Sequence, residues 1–278
     1  MEREQANSRG RQLKTVRTAL AVIDALCERD ECGVTELADV LSLPKSTVYA
    51  QLNTLRAGGF VRKTDGRYRL SYKFLTLGEY VRNRSALYRI AKPEVDELAD
   101  ETGQYAHLVT EEHGRGINIY KAKGETGVGE AYQASKFQQR DYLHITASGK
   151  AILAFLPEAR IEEVLAEHGL PSRTERTITD REALFDRLAE IRERGYSYND
   201  QEEVMGLRAV GAPIKRPDGA VLGSISVSGP TSYLDDERFT REIPELLKST
   251  ANVIEVNLNM ADQSAQLADY ESYSPRRR

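Results

Sequence analysis

The dipeptide Asp65-Gly66 constrains the fold more than any other short feature of this chain. It separates two short segments of alternating polarity, residues 60–64 and 67–70. An Asp-Gly pair in this setting is typical of a two-residue β-hairpin, because the favoured turn needs a positive φ at both central residues. The sequence therefore predicts an antiparallel hairpin here.

Three helices are predicted before the hairpin. Pro44 fits the first turn of the third helix, which ends at Gly58-Gly59. Thr35 can cap a short second helix over residues 36–41. The first helix covers residues 15–29 and has apolar residues at helical spacing. This expected buried stripe contains Val16, Ala19, Leu20, Ile23, Leu26 and Cys27.

The third helix has two chemically different faces. Val48, Leu52 and Leu55 fall in one narrow arc and are the expected core contacts. The rest of the helix carries no acidic residue, so that surface can approach phosphate and offer donors to base edges. The candidate DNA contacts on it are Lys45, Ser46, Thr47, Tyr49 and Asn53.

Charge is distributed unevenly along the chain. Residues 1–75 carry 13 Lys and Arg against 9 Asp and Glu, a net charge of +4, and residues 76–278 carry 26 against 34, a net of −8. Three helices and a basic hairpin predict a winged helix-turn-helix that binds double-stranded DNA. A winged helix that serves only as a protein-interaction module stays an alternative. The candidate wing contacts are Arg62, Lys63, Arg67 and Arg69.

The length of 278 residues and the 40% hydrophobic content predict two domains. The two cysteines, Cys27 and Cys32, suit a reducing compartment, and Cys27 is expected in the core. No apolar run approaches the length of a membrane span, and the polar N-terminus does not resemble a secretory signal. We therefore expect a cytoplasmic protein that does not interact with membranes.

Downstream of the hairpin, residues 71–90 are apolar-periodic and predict a helix, broken near residues 83–85, that packs between protomers. Strands in runs with helices around them then predict an α+β domain with an antiparallel sheet, including a strand over residues 128–133. The expected organisation is a flexible arm at 1–12, the winged helix at 13–72, a linker helix at 73–90, the α+β domain at 91–260 and a disordered tail at 261–278.

Two small polar segments of the α+β domain favour a ligand site. Ser226 and Ser228 are two apart on a predicted strand and share one face, where buried hydroxyls need partners. Ala147 and Ser148 immediately precede a helix, whose free N–H groups suit a carboxylate. Together they favour a small, oxygen-rich, anionic ligand. The alternative is that Thr146 or Ser148 simply caps the helix and the strand serines bond to neighbouring backbone.

Five segments resemble the IclR family of transcriptional regulators in order and spacing. The resemblance covers about residues 13–260, and the combination is specific although the helix-turn-helix alone is common. The segments are LPKSTVYAQLNTL, GRYRL, LHITASGKAILAFLP, RGYSYNDQEEVMGLRAVGAPI and GSISVSGP.

The resemblance implies an N-terminal winged helix, a linker helix and a GAF-like α+β domain. It also implies a homodimer or homotetramer that represses or activates transcription in response to an effector such as an organic acid or another catabolic metabolite. Asn199 and Ala209 stand where some relatives have an acidic residue or a cysteine, so the effector of a relative does not transfer directly. The effector residues carried over by position are Ala147, Ser148, Asn199, Asp200, Ala209, Ser226 and Ser228.

The sequence offers little for catalysis or for a cofactor. The four histidines have no metal-ligand spacing with one another or with the cysteines, and His144 is of interest only because it lies next to the proposed pocket. Gly149-Lys150 lacks the remaining residues of a phosphate-binding loop. We therefore expect neither an enzyme nor a cofactor or metal. An enzyme that uses the C-terminal domain is the weaker alternative.

Overall fold

The structure is a computed structural model, and it describes residues 12–130, residue 133 and residues 141–273. The expected flexible arm, residues 1–12, lies outside the described residues except for its last position. The chain divides into two compact units, residues 1–82 and 83–278, and the division falls inside the expected linker helix. In the described part of the chain, no helix is both long enough and apolar enough to cross a membrane.

The first unit has the predicted order of three helices followed by a hairpin. Val48 and Leu52 of the third helix are fully buried against Val22 and Leu26 of the first. The elements are α1 (Lys14–Arg29), α2 (Val34–Leu41), α3 (Lys45–Ala57), β1 (Val61–Thr64) and β2 (Arg67–Leu70).

The hairpin turns at the predicted dipeptide. Asp65 has φ +50° and Gly66 has φ +82°, the left-handed values that a tight hairpin turn requires. Backbone hydrogen bonds in both directions tie Cys32 to Tyr68, N···O 3.0 and 2.8 Å, which adds a short bridge beside the hairpin. The Tyr68 ring is buried in the core of the unit and anchors the wing to it.

The buried face of α1 differs from the expected stripe. The buried residues include Thr18, Val22 and Leu26, whereas Val16 and Leu20 are more than half exposed. Cys27, which was expected in the core, is also exposed. The helix carries apolar residues on two sides, so its periodicity did not decide which side meets α3; packing against α3 and β2 decided it.

Two helices occupy the expected linker and the start of the second domain. They are α4 (Lys73–Arg84) and α5 (Ala86–Thr102), separated by Ser85, whose hydroxyl accepts a hydrogen bond from the Tyr88 N–H at 3.3 Å. The helix break thus falls in the predicted region. The second helix begins at Ala86, before the expected start of the α+β domain at residue 91, and it continues through Pro93.

The second unit is α+β, as predicted, and is built on an antiparallel sheet. The six strands in the described residues lie in the order β5-β4-β3-β8-β7-β6. The strands are β3 (Tyr105–Glu112), β4 (Arg115–Lys123), β5 (Asp141–Tyr142), β6 (Ser197–Asp200), β7 (Leu207–Lys215) and β8 (Val221–Pro230).

Each face of this sheet packs against different helices. Val210 and Val227 point into an apolar core with α5 and with α9 (Ile243–Tyr273). The neighbouring residues along the same strands, including Ser226, face α6 (Ala147–Leu153), because side chains alternate along a strand. Two further helices, α7 (Glu158–His168) and α8 (Arg181–Arg194), complete the layer on that side. Polar residues on β8 thus meet the start of α6.

Two expectations for this unit were wrong. The described residues between 128 and 133 contain no strand; positions 130 and 133 are helical. The expected disordered tail from residue 261 is instead a continuation of α9 as far as Tyr273. Residues 261–273 contain neither glycine nor proline and are rich in helix-forming Ala, Gln and Leu, which explains the continuation. Residues 274–278 lie outside the described residues.

Candidate nucleic-acid interface and ligand cavity

The candidate DNA-contacting surface of α3, formed by Lys45, Ser46, Thr47, Tyr49 and Asn53, lies opposite the apolar face that packs against the core. Val48 and Leu52 are fully buried. Lys45, Ser46 and Tyr49 are exposed on the other side of the helix, and Tyr49 keeps 50% of its surface accessible. Thr47 and Asn53 are partly buried at the flanks of this surface. The helix thus presents donors without a carboxylate.

The wing places its cations on two faces. Arg62 lies opposite Arg69 in the strand register, and both side chains are exposed. Lys63 lies opposite Tyr68, with its ammonium 5.3 Å from the centre of the Tyr68 ring. Three of the four predicted wing cations are therefore accessible to a polyanion.

Arg67, the fourth predicted wing cation, already has protein partners. Its guanidinium forms ion pairs with Glu31 at 2.8 Å and with Glu36 at 3.1 Å. The Glu36 carboxylate also accepts the Gly33 N–H at 2.9 Å, and this bond together with Arg67 lowers the pKa of Glu36. Arg67 thus braces the wing against the start of α2, a contact that hairpin alternation alone did not reveal.

A polar cavity lies between β8, the end of β6 and the start of α6. The space between its lining residues is about 420 Å³, a volume that includes open solvent. Six of the seven predicted effector residues line it: Ala147, Ser148, Asn199, Ala209, Ser226 and Ser228. The register explains their convergence, because Asn199 pairs with Ala209 and Ala209 pairs with Ser228 across neighbouring strands.

Asp200 is the predicted effector residue that does not line the cavity. It follows Asn199 on β6 and therefore points to the opposite face of the strand. There its carboxylate pairs with Arg208 at 2.9 Å and with Arg176 at 3.1 Å. The structure thus does not bring the Asp200 side chain into the cavity lining, because alternation along β6 turns it away from the side of Asn199.

The predicted hydroxyls bond to one another or to a histidine. Ser148 Oγ donates to Ser226 Oγ at 2.7 Å, and Ser228 Oγ lies 2.8 Å from His107 Nε2. Thr146 Oγ1 accepts the Gly149 N–H at 2.9 Å and caps α6, as the alternative interpretation of this segment predicted. Capping and cavity lining coexist in the same segment.

Three buried amide atoms around the cavity have no hydrogen-bond partner in the described residues. They are Asn199 Nδ2, Asn118 Oδ1 and Gln133 Oε1. A buried amide atom without a partner is costly, so a ligand that satisfies these atoms gains binding energy. The cavity therefore offers one donor and two acceptors in addition to its hydroxyls.

Sequence reasoning missed several lining residues, and their spacing carries no signal that could have identified them. They are His107, Asn118, Gln133, Asp141, Glu203 and Leu207. Two of these are carboxylates, and the described lining contains no lysine or arginine. His144 lies outside the lining; its ring Nε2 is 3.1 Å from the Pro171 carbonyl oxygen, and burial lowers its pKa to about 4. The described residues contain no cluster of metal-ligating side chains.

A winged helix with a cationic wing, followed by a separate α+β unit that encloses a small polar cavity, defines a ligand-responsive transcriptional regulator. The chain belongs to the IclR family of these regulators. The family model described as "Bacterial transcriptional regulator IclR C-terminal" matches residues 79–256. The "IclR helix-turn-helix domain" model matches residues 15–65.

Individual relatives agree with this assignment. The chain is 39% identical over 263 residues to the "Probable HTH-type transcriptional regulator ArcR" of Halobacterium salinarum, covering 94% of this chain and 100% of the relative. It is 30% identical to the regulator KdgR of Escherichia coli, covering 90% and 94% of the two chains. These relatives are named transcriptional regulators, and the chain, as a member of the same family, is a transcriptional regulator.

Solved structures share the fold. The IclR crystal structure from Thermotoga maritima matches with a TM-score of 0.69 and 30% identity, over 89% of this chain and 99% of that one. An IclR homologue from Microbacterium hydrocarbonoxydans, complexed with 4-hydroxybenzoate, matches with a TM-score of 0.73 and 24% identity, over 88% and 99%. At 24% identity, the second match shows only that the two chains share a fold.

Proposed function

We propose that this regulator binds a pseudo-palindromic operator as a cytoplasmic homodimer or homotetramer, with one winged helix in each half-site. The observation that carries the proposal is the exposed, carboxylate-free surface of α3 beside three accessible wing cations. A recognition helix of this kind enters the major groove, and the wing contacts the phosphate backbone. Symmetric operators mirror the two-fold symmetry of such oligomers.

The proposed contacts follow from exposure. Lys45, Ser46, Thr47, Tyr49 and Asn53 on α3 face bases or adjacent phosphates. Arg62, Lys63 and Arg69 hold the backbone, whereas Arg67 keeps the wing in place through its two carboxylate partners. Asn53 is the member of the set best suited to base recognition, because a carboxamide can bond twice to adenine.

Apolar surface on the first unit supports self-association. Val16 and Leu20 on α1 are 52% and 55% exposed, and Leu75 and Val81 on α4 are 65% and 67% exposed. Helix α4 buries none of its residues within one chain. Exposed apolar residues on a helix that buries nothing suit an interface, and a second copy supplies the same residues.

The cavity is the proposed effector site. Its amide and hydroxyl lining suits a small, oxygen-rich molecule such as an organic acid or another catabolic metabolite. In the absence of cations in the described lining, neutral N–H and hydroxyl groups would hold a ligand carboxylate. The 4-hydroxybenzoate bound by the Microbacterium homologue is a molecule of this class. The ligand acts by binding one arrangement of the oligomer more tightly than another.

The experiment combines operator binding with a cavity variant. Gel shift with DNA from upstream of the protein's own gene tests the first part, and failure to shift any such DNA at low salt would instead favour a protein-interaction module. Replacing Ser226 and Ser228 together with alanine tests the second. We expect operator binding to be kept and the ligand response to be lost; a normal response in this variant would refute the cavity assignment.

Asn53→Ala tests the base contact. Binding-site selection with this variant should show relaxed preference at one operator position, because the bidentate contact is removed. An unchanged preference at every position would show that Asn53 does not contact a base.

A further inference from the structure

A fully buried ion pair lies behind the wall of the cavity. Lys150 Nζ on α6 pairs with Glu202 Oε2; the lysine side chain has no exposed surface and the glutamate side chain is 6% exposed. Burial lowers the pKa of Lys150, and Glu202 opposes that shift. Apolar residues of similar volume often replace such pairs without loss of stability, so stability alone does not account for the pair.

The pair joins two walls of the cavity. Lys150 lies on the same short helix as Ala147 and Ser148, which line one wall. Glu202 follows the end of β6, where Asn199 lines the other wall. Neither charged side chain is itself in the lining. Their contact therefore acts on the cavity through the residues next to them in the chain.

Hydrogen bonds to the backbone of Glu202 also hold this residue in place. Its carbonyl oxygen accepts hydrogen bonds from Thr177 Oγ1 at 2.6 Å and from Thr174 Oγ1 at 3.2 Å. Its N–H donates to Asn199 Oδ1 at 2.8 Å. The preceding residue, Gln201, adopts φ +65°, which makes the tight turn that brings this N–H back toward Asn199.

This last hydrogen bond determines which end of the Asn199 amide faces the ligand. A backbone N–H can only donate, so the atom that it contacts must be the amide oxygen. The nitrogen, Nδ2, is then left without a partner in the described residues, although Asn199 is only 1% exposed and lines the cavity. The cavity consequently presents a hydrogen-bond donor at this position.

We propose that Lys150 and Glu202 are positioning residues that hold the Asn199 amide with its N–H groups toward the ligand, so that the site selects effectors with an acceptor oxygen there. This inference rests on the proposed effector site. The acceptor is a carboxylate or carbonyl oxygen in preference to a hydroxyl, because it uses both lone pairs without needing an acceptor in return. The ion pair thereby contributes to specificity without touching the ligand.

The donor is tested with Asn199→Asp in the full-length protein. The new carboxylate still accepts the Glu202 N–H but offers the ligand no donor. Asn118→Asp is the matched control, because it adds the same charge to the cavity at an amide whose free atom is already an acceptor. The probes are carboxylates and their alcohol counterparts: lactate and propane-1,2-diol, gluconate and sorbitol, and 4-hydroxybenzoate and 4-hydroxybenzyl alcohol.

Isothermal titration calorimetry measures the affinity for each carboxylate and for its alcohol counterpart, for those probes that bind. We expect the native chain to prefer the carboxylate member and Asn199→Asp to lose that preference by about tenfold or more, the effect of removing a partner from a charged hydrogen-bonded group. Asn118→Asp should lose clearly less. Equal losses in the two variants, or none, would overturn the proposal. If the native chain responds to no small ligand, the effector site itself fails, whereas the positioning experiment below still tests the ion pair.

The positioning role is tested with Lys150→Met combined with Glu202→Leu, which removes both charges at similar volume. The surface pair Arg181–Glu162 provides the control double variant, Arg181→Met with Glu162→Leu. Hydrogen exchange at residues 200–206 should become about tenfold faster, or more, in the buried variant only. Operator binding should be kept in both variants.

If hydrogen exchange at residues 200–206 and the preference for carboxylates are both unchanged in the Lys150→Met, Glu202→Leu variant, the ion pair has no positioning role and only fills space. Should the double variant fail to fold, Glu202→Gln keeps the shape and an acceptor for Lys150 while it removes the charge. It should shift exchange at residues 200–206 in the same direction by a smaller factor. Native exchange in Glu202→Gln would likewise overturn the positioning role.

Discussion

Removing Arg62 and Arg69 together should change how strongly operator binding depends on salt. The two side chains lie opposite each other on the wing, both are exposed, and Arg67 beside them is occupied by carboxylates. Each phosphate contact contributes about 0.9 to the slope of log K against log salt concentration. Two wings per operator lose four contacts in the double alanine variant, so the slope should flatten by about 3.6.

Fluorescence anisotropy of a labelled operator, measured between about 50 and 200 mM salt, gives this slope. The control replaces Arg181 and Arg241 with alanine; both are exposed arginines of the second unit that pair with surface glutamates, and their loss changes the net charge equally. That control should leave the slope unchanged. An unchanged slope in the wing variant, or an equal change in the control, would refute the wing as a phosphate-binding element.

Three further predictions concern stability and the cavity. Tyr68→Phe should leave stability unchanged or raise it by up to about 1 kcal/mol in urea unfolding, because the buried Tyr68 hydroxyl has no partner among the described residues. Gly211→Ala should abolish ligand-induced thermal shifts with operator binding kept, since a Cβ there would lie 2.8 Å from the Ala147 carbonyl carbon and 2.9 Å from the Ser148 nitrogen. His144 has a folded pKa of about 4, below the ordinary 6.5, so the folded state resists protonation. The stabilising contribution of neutral His144 to the free energy of unfolding should therefore be fully present above pH 6.5. It should fall by about 3 kcal/mol as the pH drops from 6.5 to 4. The variant His144→Gln should show a weaker pH dependence over this range.

Local signals predicted most of the first unit correctly. The Asp65-Gly66 turn, the helix end at Gly58-Gly59 and the buried arc of α3 all depend on neighbours a few residues apart. The buried side of α1 was wrong because that helix has two apolar sides. Helix periodicity reports that a helix is amphipathic, but the contacting element selects the side.

Sequence patterns also failed to predict every residue of the cavity, because some of its lining residues are far apart in the chain. Six of its predicted residues converge as the family resemblance implied, whereas strand alternation places Asp200 on the opposite face from Asn199. His107 could not be found from spacing, because it reaches Ser228 only through a strand pairing across 121 positions of sequence. Site residues from one strand face are predictable from alternation; those from another strand need the register.

The sequence by itself determined the winged helix, the two-domain organisation, the family and the segments that line the cavity. Periodicity, turn chemistry and motif order are encoded in adjacent residues, so no long-range contact is needed to interpret them. Tertiary structure alone decided that Arg67 braces the wing and that Glu202, paired with Lys150, turns the Asn199 amide toward the cavity. Those roles arise from partners 31 to 52 positions apart, whose charges meet only after the chain has folded.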